Sequence, residues 1–140
     1  MTAAAPGAPF RIPVRVYYED TDAAGVVYYA NYLKFMERAR TEWLSARGFD
    51  IADLEREHGI AFVVRRVEVD YLRPARLGDR LDVTFTLVEG RRASLVANQE
   101  VQRDGEPLIR ARVTVACLDH AHWRPTRIPA ALVPHMEKPA

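Results

Sequence analysis

The sequence predicts an α+β fold in which one antiparallel, five-stranded sheet wraps around one long helix within a single domain. Three observations carry this expectation. Apolar residues recur at helical spacing from about Ala30 to Arg47. Five other stretches alternate apolar and polar residues and are separated by turn signals. The 140 residues suffice for one substantial core and are too few for two ordinary domains.

Taken in order, residues 1–10 read as a disordered lead, 11–128 as the folded domain and 129–140 as an irregular tail rich in proline. IPVRVYY, Ile12 to Tyr18, has strand composition and ends at an acidic run. In the long helix Tyr32, Phe35, Met36, Ala39 and Trp43 share one face, and Gly48 is placed to cap its end. A shorter helix is expected from Ile51 to His58, before Gly59. Then come FVVRRVEVDYL, LDVTFTLV, ASLVANQEVQR and LIRARVTVACL, expected as a four-strand meander with Asp104-Gly105 as the clearest hairpin turn. One helix covers only part of such a sheet, so the remaining apolar surface calls for dimerisation.

Composition narrows the function classes. Twenty basic side chains against nineteen acidic ones leave no global field for nucleic acid or an anionic membrane. No apolar run approaches the roughly 20 residues of a membrane span, and the lead has no secretory pattern, so a cytoplasmic protein is expected. The single cysteine, Cys117, sits in an alternating apolar run and reads as a buried packing residue. The four histidines lack ligand spacing, so no metal site is expected.

The informative stretch is Tyr18 to Leu33, YEDTDAAGVVYYANYL, which sets three carboxylates within four positions before a glycine and a group of tyrosines. Asp and Thr favour turns and helix starts, but turn chemistry alone does not require the tyrosines. The strand before DTDAAGVVYYANYLKFMERART and the four strands after it, with DYLRPARLGD among them, extend a pattern that covers nearly the whole chain from Pro13 to Pro129. This pattern resembles the hotdog-fold acyl-CoA thioesterases. Within them it is similar to the 4-hydroxybenzoyl-CoA thioesterase-like family, and especially to the short acyl-CoA thioesterases associated with the Tol-Pal system.

The resemblance implies an acyl-CoA substrate, a homodimer or homotetramer, and no metal or redox cofactor. It assigns the catalytic carboxylate to Asp22, acting as nucleophile or as general base on water. Asp22 is then expected near the start of the long helix, where backbone N–H groups and the dipole favour an anion. Gly25, Val26, Val27, Tyr28 and Tyr32 are the expected acyl pocket and oxyanion site, with N–H groups around Tyr28 and Tyr29 as donors. Tyr29 stands where the Tol-Pal-associated subgroup usually has histidine. A phenol donates hydrogen bonds but is a poor base at neutral pH, which returns the base role to Asp22 and brings aromatic acyl groups into view. Glu37 is either an ion-pair partner of Arg40 or a second polar group near the thioester. Arg65, Arg66, Arg73, Arg91 and Arg92 are candidates for the phosphates of coenzyme A.

Two rival readings remain. A non-catalytic hotdog module could bind acyl-CoA or acyl carrier protein with the same pocket. The Asp-x-Asp pair also opens a dehalogenase-type phosphatase signature, but that chemistry sits on a parallel sheet, which the alternating strands contradict.

Overall fold

Helix α1, Asn31–Ala46, buries Tyr32, Phe35, Met36, Ala39, Trp43 and Leu44 along one stripe. Around this stripe the computed structural model, which describes residues 9–136, curls an antiparallel sheet. The strands are β1 (Phe10–Arg15), β2 (Ile60–Tyr71), β3 (Arg80–Gly90), β4 (Ser94–Arg103), β5 (Glu106–Asp119) and the two-residue β6 (Arg124–Pro125). A second helix, α2 (Ile51–His58), starts on the Asp50 side chain, which accepts the Ala52 N–H, and ends at Gly59 with φ +64°. Both helices and the hairpin at Asp104-Gly105 agree with the sequence expectation. This is the hotdog arrangement, a sheet wrapped around one central helix. The expected lead, residues 1–10, lies mostly outside the described residues, as does the end of the expected tail. Within the described part of that tail, Leu132 and Met136 are buried.

The expected four-strand meander is corrected. The order is β1-β3-β4-β5-β2, so β2 pairs with β5 and not with β3. Residues 72–79 leave β2 through Pro74, which has no N–H for a ladder. Instead of turning back as a hairpin, this connection crosses to β3 and hydrogen-bonds to the acidic loop before α1: Val27 N–H donates to Ala75 O at 2.9 Å, and Val16 N–H to Asp79 O at 2.9 Å.

The core has two parts, one at each end of α1. Tyr32, Phe35, Met36 and Ala39 pack with Val14, Val16, Leu81, Val83 and Ile109, while Trp43 and Leu44 pack with Leu54, Phe85, Leu95, Val113 and Cys117. Cys117 is wholly buried, and burial pushes its thiol up to about 11, as suits a packing residue.

Candidate active site

The acidic stretch folds as a small hairpin. Thr21 bridges Val27, the Asp22 N–H donates to Val26 O at 2.9 Å, and the Gly25 N–H returns to Asp22 O at 3.0 Å. Gly25 has φ +79°, and no atom lies within 4 Å of where its Cβ would be. Its glycine is therefore required by left-handed backbone rather than by crowding. The Asp22 carboxylate accepts the Ala24 N–H at 2.8 Å, and Asp22 is exposed. Asp22 thus caps a turn nine positions before α1 in sequence, and its carboxylate accepts no N–H from the first turn of the helix. Asp20 serves the backbone: its carboxylate accepts the Tyr17 N–H at 2.8 Å.

The start of α1 is uncapped by any side chain, because Ala30 occupies the N-cap. Its local carbonyls are nevertheless fixed. Tyr28 O accepts the Asn31 N–H at 2.8 Å, and Tyr29 O accepts the Tyr71 hydroxyl at 3.2 Å. Asp20 O accepts both the Tyr28 N–H and the Asn31 side-chain amide, each at 2.9 Å. The Tyr28 N–H is therefore committed, a correction to its expected oxyanion role. The N–H groups of Tyr29 and Ala30 donate to no acceptor among the described residues.

Four tyrosines gather there. Tyr28 and Tyr29 have ring centroids 4.8 Å apart, and the neighbouring Tyr29 phenol holds the Tyr28 phenol above its ordinary value. Tyr71 meets Tyr29 at 6.3 Å and Tyr32 at 5.9 Å, both edge-on. Tyr32 is buried, and its hydroxyl accepts the Ala75 N–H at 2.9 Å. Val27, Tyr29, Tyr32, Tyr71, Leu72 and Arg73 line a shallow cavity of about 280 Å³. Asp22 and Val26 lie outside this lining.

A larger cavity of about 410 Å³ opens along the other half of α1, between α1, α2 and β2. Trp43, Phe62, Phe85 and Leu95 form its walls, with Glu37, Arg40 and Thr41 as polar groups. The expected Glu37–Arg40 ion pair is absent. Arg40 turns inward to donate to Gln99 Oε1 at 3.0 Å, because that buried oxygen needs a donor while the Gln99 Nε2 donates to the Met36 and Thr84 carbonyls. Burial lowers the Arg40 guanidinium below its ordinary value.

The arginines separate into three places. Arg73 borders the tyrosine cavity and pairs with Glu106. Arg65 and Arg66 lie on exposed β2, Arg66 paired with Glu68 at 3.0 Å. Arg91 and Arg92 line a cavity of about 500 Å³ with Arg127, Ile128 and Met136, beyond the far end of β3. At roughly 3.3 Å per residue, that is about 30 Å from the Asp79 end of β3, where the acidic loop is anchored. Among the described residues no group of His, Cys, Asp or Glu is arranged to hold a metal ion.

Reasoning from sequence left the roles of Ala30, Asn31, Tyr71 and Ala75 unread. Tyr71 and Ala75 lie in DYLRPARLGD, which supported the resemblance without being given a task.

Residues 16–135 match the thioesterase-like superfamily. The chain belongs to this family. As a thioesterase it is 46% identical over 125 residues to the acyl-CoA thioester hydrolase YbgC of Escherichia coli, covering 89% of this chain and 92% of that one. It is 45% identical over 120 residues to the acyl-CoA thioesterase YbgC of Haemophilus influenzae, covering 86% and 88%. Among solved structures, a probable thioesterase from Bartonella henselae superposes with a TM-score of 0.82 at 33% identity, covering 87% of this chain and all of that one.

Proposed function

We propose that this thioesterase hydrolyses a short-chain or aromatic acyl-CoA to the free acid and coenzyme A, with Asp22 as the attacking carboxylate or as the base that activates water. The observation that carries the reading is the pair of unsatisfied N–H groups at Tyr29 and Ala30, at an uncapped helix start beside the hairpin that bears Asp22. Attack on a thioester carbonyl creates an oxyanion, and two fixed donors are what such an intermediate requires. The Tyr29 phenol supplies aromatic surface and a hydrogen-bond donor in place of a base. An aromatic acyl group finds support in the tyrosine cluster and in a relative: over half of this chain, 39% identity links it to a 1,4-dihydroxy-2-naphthoyl-CoA hydrolase of Thermosynechococcus vestitus.

A homodimer through β2 belongs to the same reading. Val63, Val64, Val67, Tyr71 and Leu72 are 36–48% exposed along this edge strand, whose outer ladder is unpaired in one chain. Antiparallel pairing of two such edges would set each Tyr71 end beside the partner's Phe62 end and its 410 Å³ cavity. In the same dimer Arg91 and Arg92 would approach the partner's acidic loop, where they could take the phosphates of coenzyme A; Arg73 would do so from its own chain. Arg65 and Arg66 would lie at the seam. Pairing of dimers into tetramers, a cytoplasmic location and an acyl carrier protein as alternative thioester donor complete the proposal.

The test is thiol release from a panel of aliphatic, hydroxylated and aromatic acyl-CoA esters. Asp22→Asn should lower kcat by about a thousandfold, since it removes the attacking group and preserves the turn that its side chain caps. Full activity in Asp22→Asn would overturn the assignment. Ester binding without turnover in the wild type would favour the non-catalytic binding module.

A further inference from the structure

Each of the two free donors belongs to a peptide unit whose carbonyl is tied elsewhere, and the two ties differ in kind. The Tyr28–Tyr29 unit carries the Tyr29 N–H, and its carbonyl is held by the Asn31 backbone at 2.8 Å. That bond is part of the turn into α1. The Tyr29–Ala30 unit carries the Ala30 N–H, and its carbonyl is held by a side chain from a distant strand, the Tyr71 hydroxyl at 3.2 Å. In a trans peptide the C=O and N–H point to opposite sides of the chain, so fixing one fixes the other.

We propose that Tyr71 is a positioning residue of the thioesterase, whose hydroxyl locks the Tyr29–Ala30 peptide so that the Ala30 N–H stays aimed at the developing oxyanion. The inference rests on the reading of Tyr29 and Ala30 as oxyanion donors. Several features suit Tyr71 to the task. Its ring is braced edge-on by Tyr29 and Tyr32. Ala75, in the crossing connection that follows, binds both Val27 and Tyr32, so with the Tyr71 hydroxyl the end of β2 is tied to the loop and the start of α1 in three places. Burial, with the nearby Tyr29, raises the Tyr71 phenol above its ordinary value, so it stays a donor through neutral and mildly alkaline pH. Without the hydroxyl the Tyr29 carbonyl would seek water, and the Ala30 N–H would turn with it.

Tyr71→Phe keeps the ring and removes only the hydroxyl. It should lower kcat by about 10- to 100-fold, less than the roughly 10²- to 10³-fold loss of a whole oxyanion donor, while KM changes by less than about twofold. The decisive readout is the infrared carbonyl stretch of a 13C-labelled benzoyl-CoA bound to Asp22→Asn, compared with the same ester bound to Asp22→Asn/Tyr71→Phe. A downshifted stretch in the first that moves back toward the solution value in the second supports the role. Equal downshifts in both would overturn the role of Tyr71 and leave the donors standing. No downshift with Tyr71 intact would overturn the donors and this inference together. Because the stretch is read from bound ester, loss of stability in the variant cannot imitate the result.

Discussion

The two ends of β2 make a contrast. Its Tyr71 end is polar and heavily hydrogen-bonded, with the Asp22 hairpin, two free N–H donors and only a shallow cavity beside it. Its Phe62 end borders the roomier 410 Å³ cavity, walled by Trp43, Phe85 and Leu95. At roughly 3.3 Å per residue the two are about 25 to 30 Å apart within one chain. On the proposed reading, the chemistry and the space for an acyl group lie at opposite ends of one strand. Edge-to-edge pairing of β2 in the proposed dimer would bring the two together.

The largest effect is expected from breaking that pairing. Val64→Glu together with Val67→Glu places like charges along an edge that would face its own copy in the proposed dimer, and like charges directly opposite are destabilising. Both residues are exposed in the single chain, so its own fold should tolerate the change. Sedimentation should then give a monomer with an unchanged circular dichroism spectrum and thiol release reduced at least about a hundredfold. A fully active monomer would show that each chain completes its own site, and the contrast would lose its meaning.

A smaller effect should sharpen it. Thr41 borders the apolar cavity and is far from the Asp22 hairpin along α1. Thr41→Phe should fill space there and lower kcat/KM for aromatic esters about tenfold relative to acetyl-CoA, in line with the few kcal/mol by which pocket shape discriminates. A uniform loss across all esters would place the acyl group elsewhere, in the tyrosine cavity.

What was legible in the sequence follows the range of the interactions involved. Helix α1 could be read because Tyr32, Phe35, Met36, Ala39 and Trp43 repeat with its own period, and the β4–β5 hairpin because Asp104 and Gly105 both take positive φ, at 52° and 80°. The position of β2 could not, because its partner is chosen by a connection that crosses the fold. Within the motif, the N–H groups left without an acceptor among the described residues were misplaced by one residue. The Tyr28 N–H is taken by the carbonyl of Asp20, and no local periodicity reports which N–H a turn consumes. Glu37 and Arg40 illustrate the same limit. Their spacing suits an ion pair, but Gln99, distant in sequence and buried, draws the guanidinium inward.

The smallest effect concerns the anchor beneath the Tyr71 end. Asp79 accepts the Arg76 N–H at 2.8 Å and the Arg103 guanidinium at 2.7 Å, closing the connection that holds Ala75 against Val27 and Tyr32. Burial alone would raise its carboxyl, but the Arg76 N–H and Arg103 outweigh it, so the net displacement is below the ordinary carboxylate value. A carboxyl lowered in the folded state stabilises above its unfolded value, near 4, and that contribution disappears as pH falls through the lower folded value. Asp79→Asn should therefore cost about 1 to 2 kcal/mol at pH 7 by chemical denaturation, as for other hydrogen bonds to a charged group. The gap between wild type and variant should narrow below about pH 4, where the wild-type carboxylate also becomes neutral. Activity should fall only in proportion to folded enzyme if Asp79 supports the connection alone. A further drop in kcat at full folding would mean that the strain of a loosened connection reaches the Tyr71 hydroxyl, and would tie the anchor to the donors.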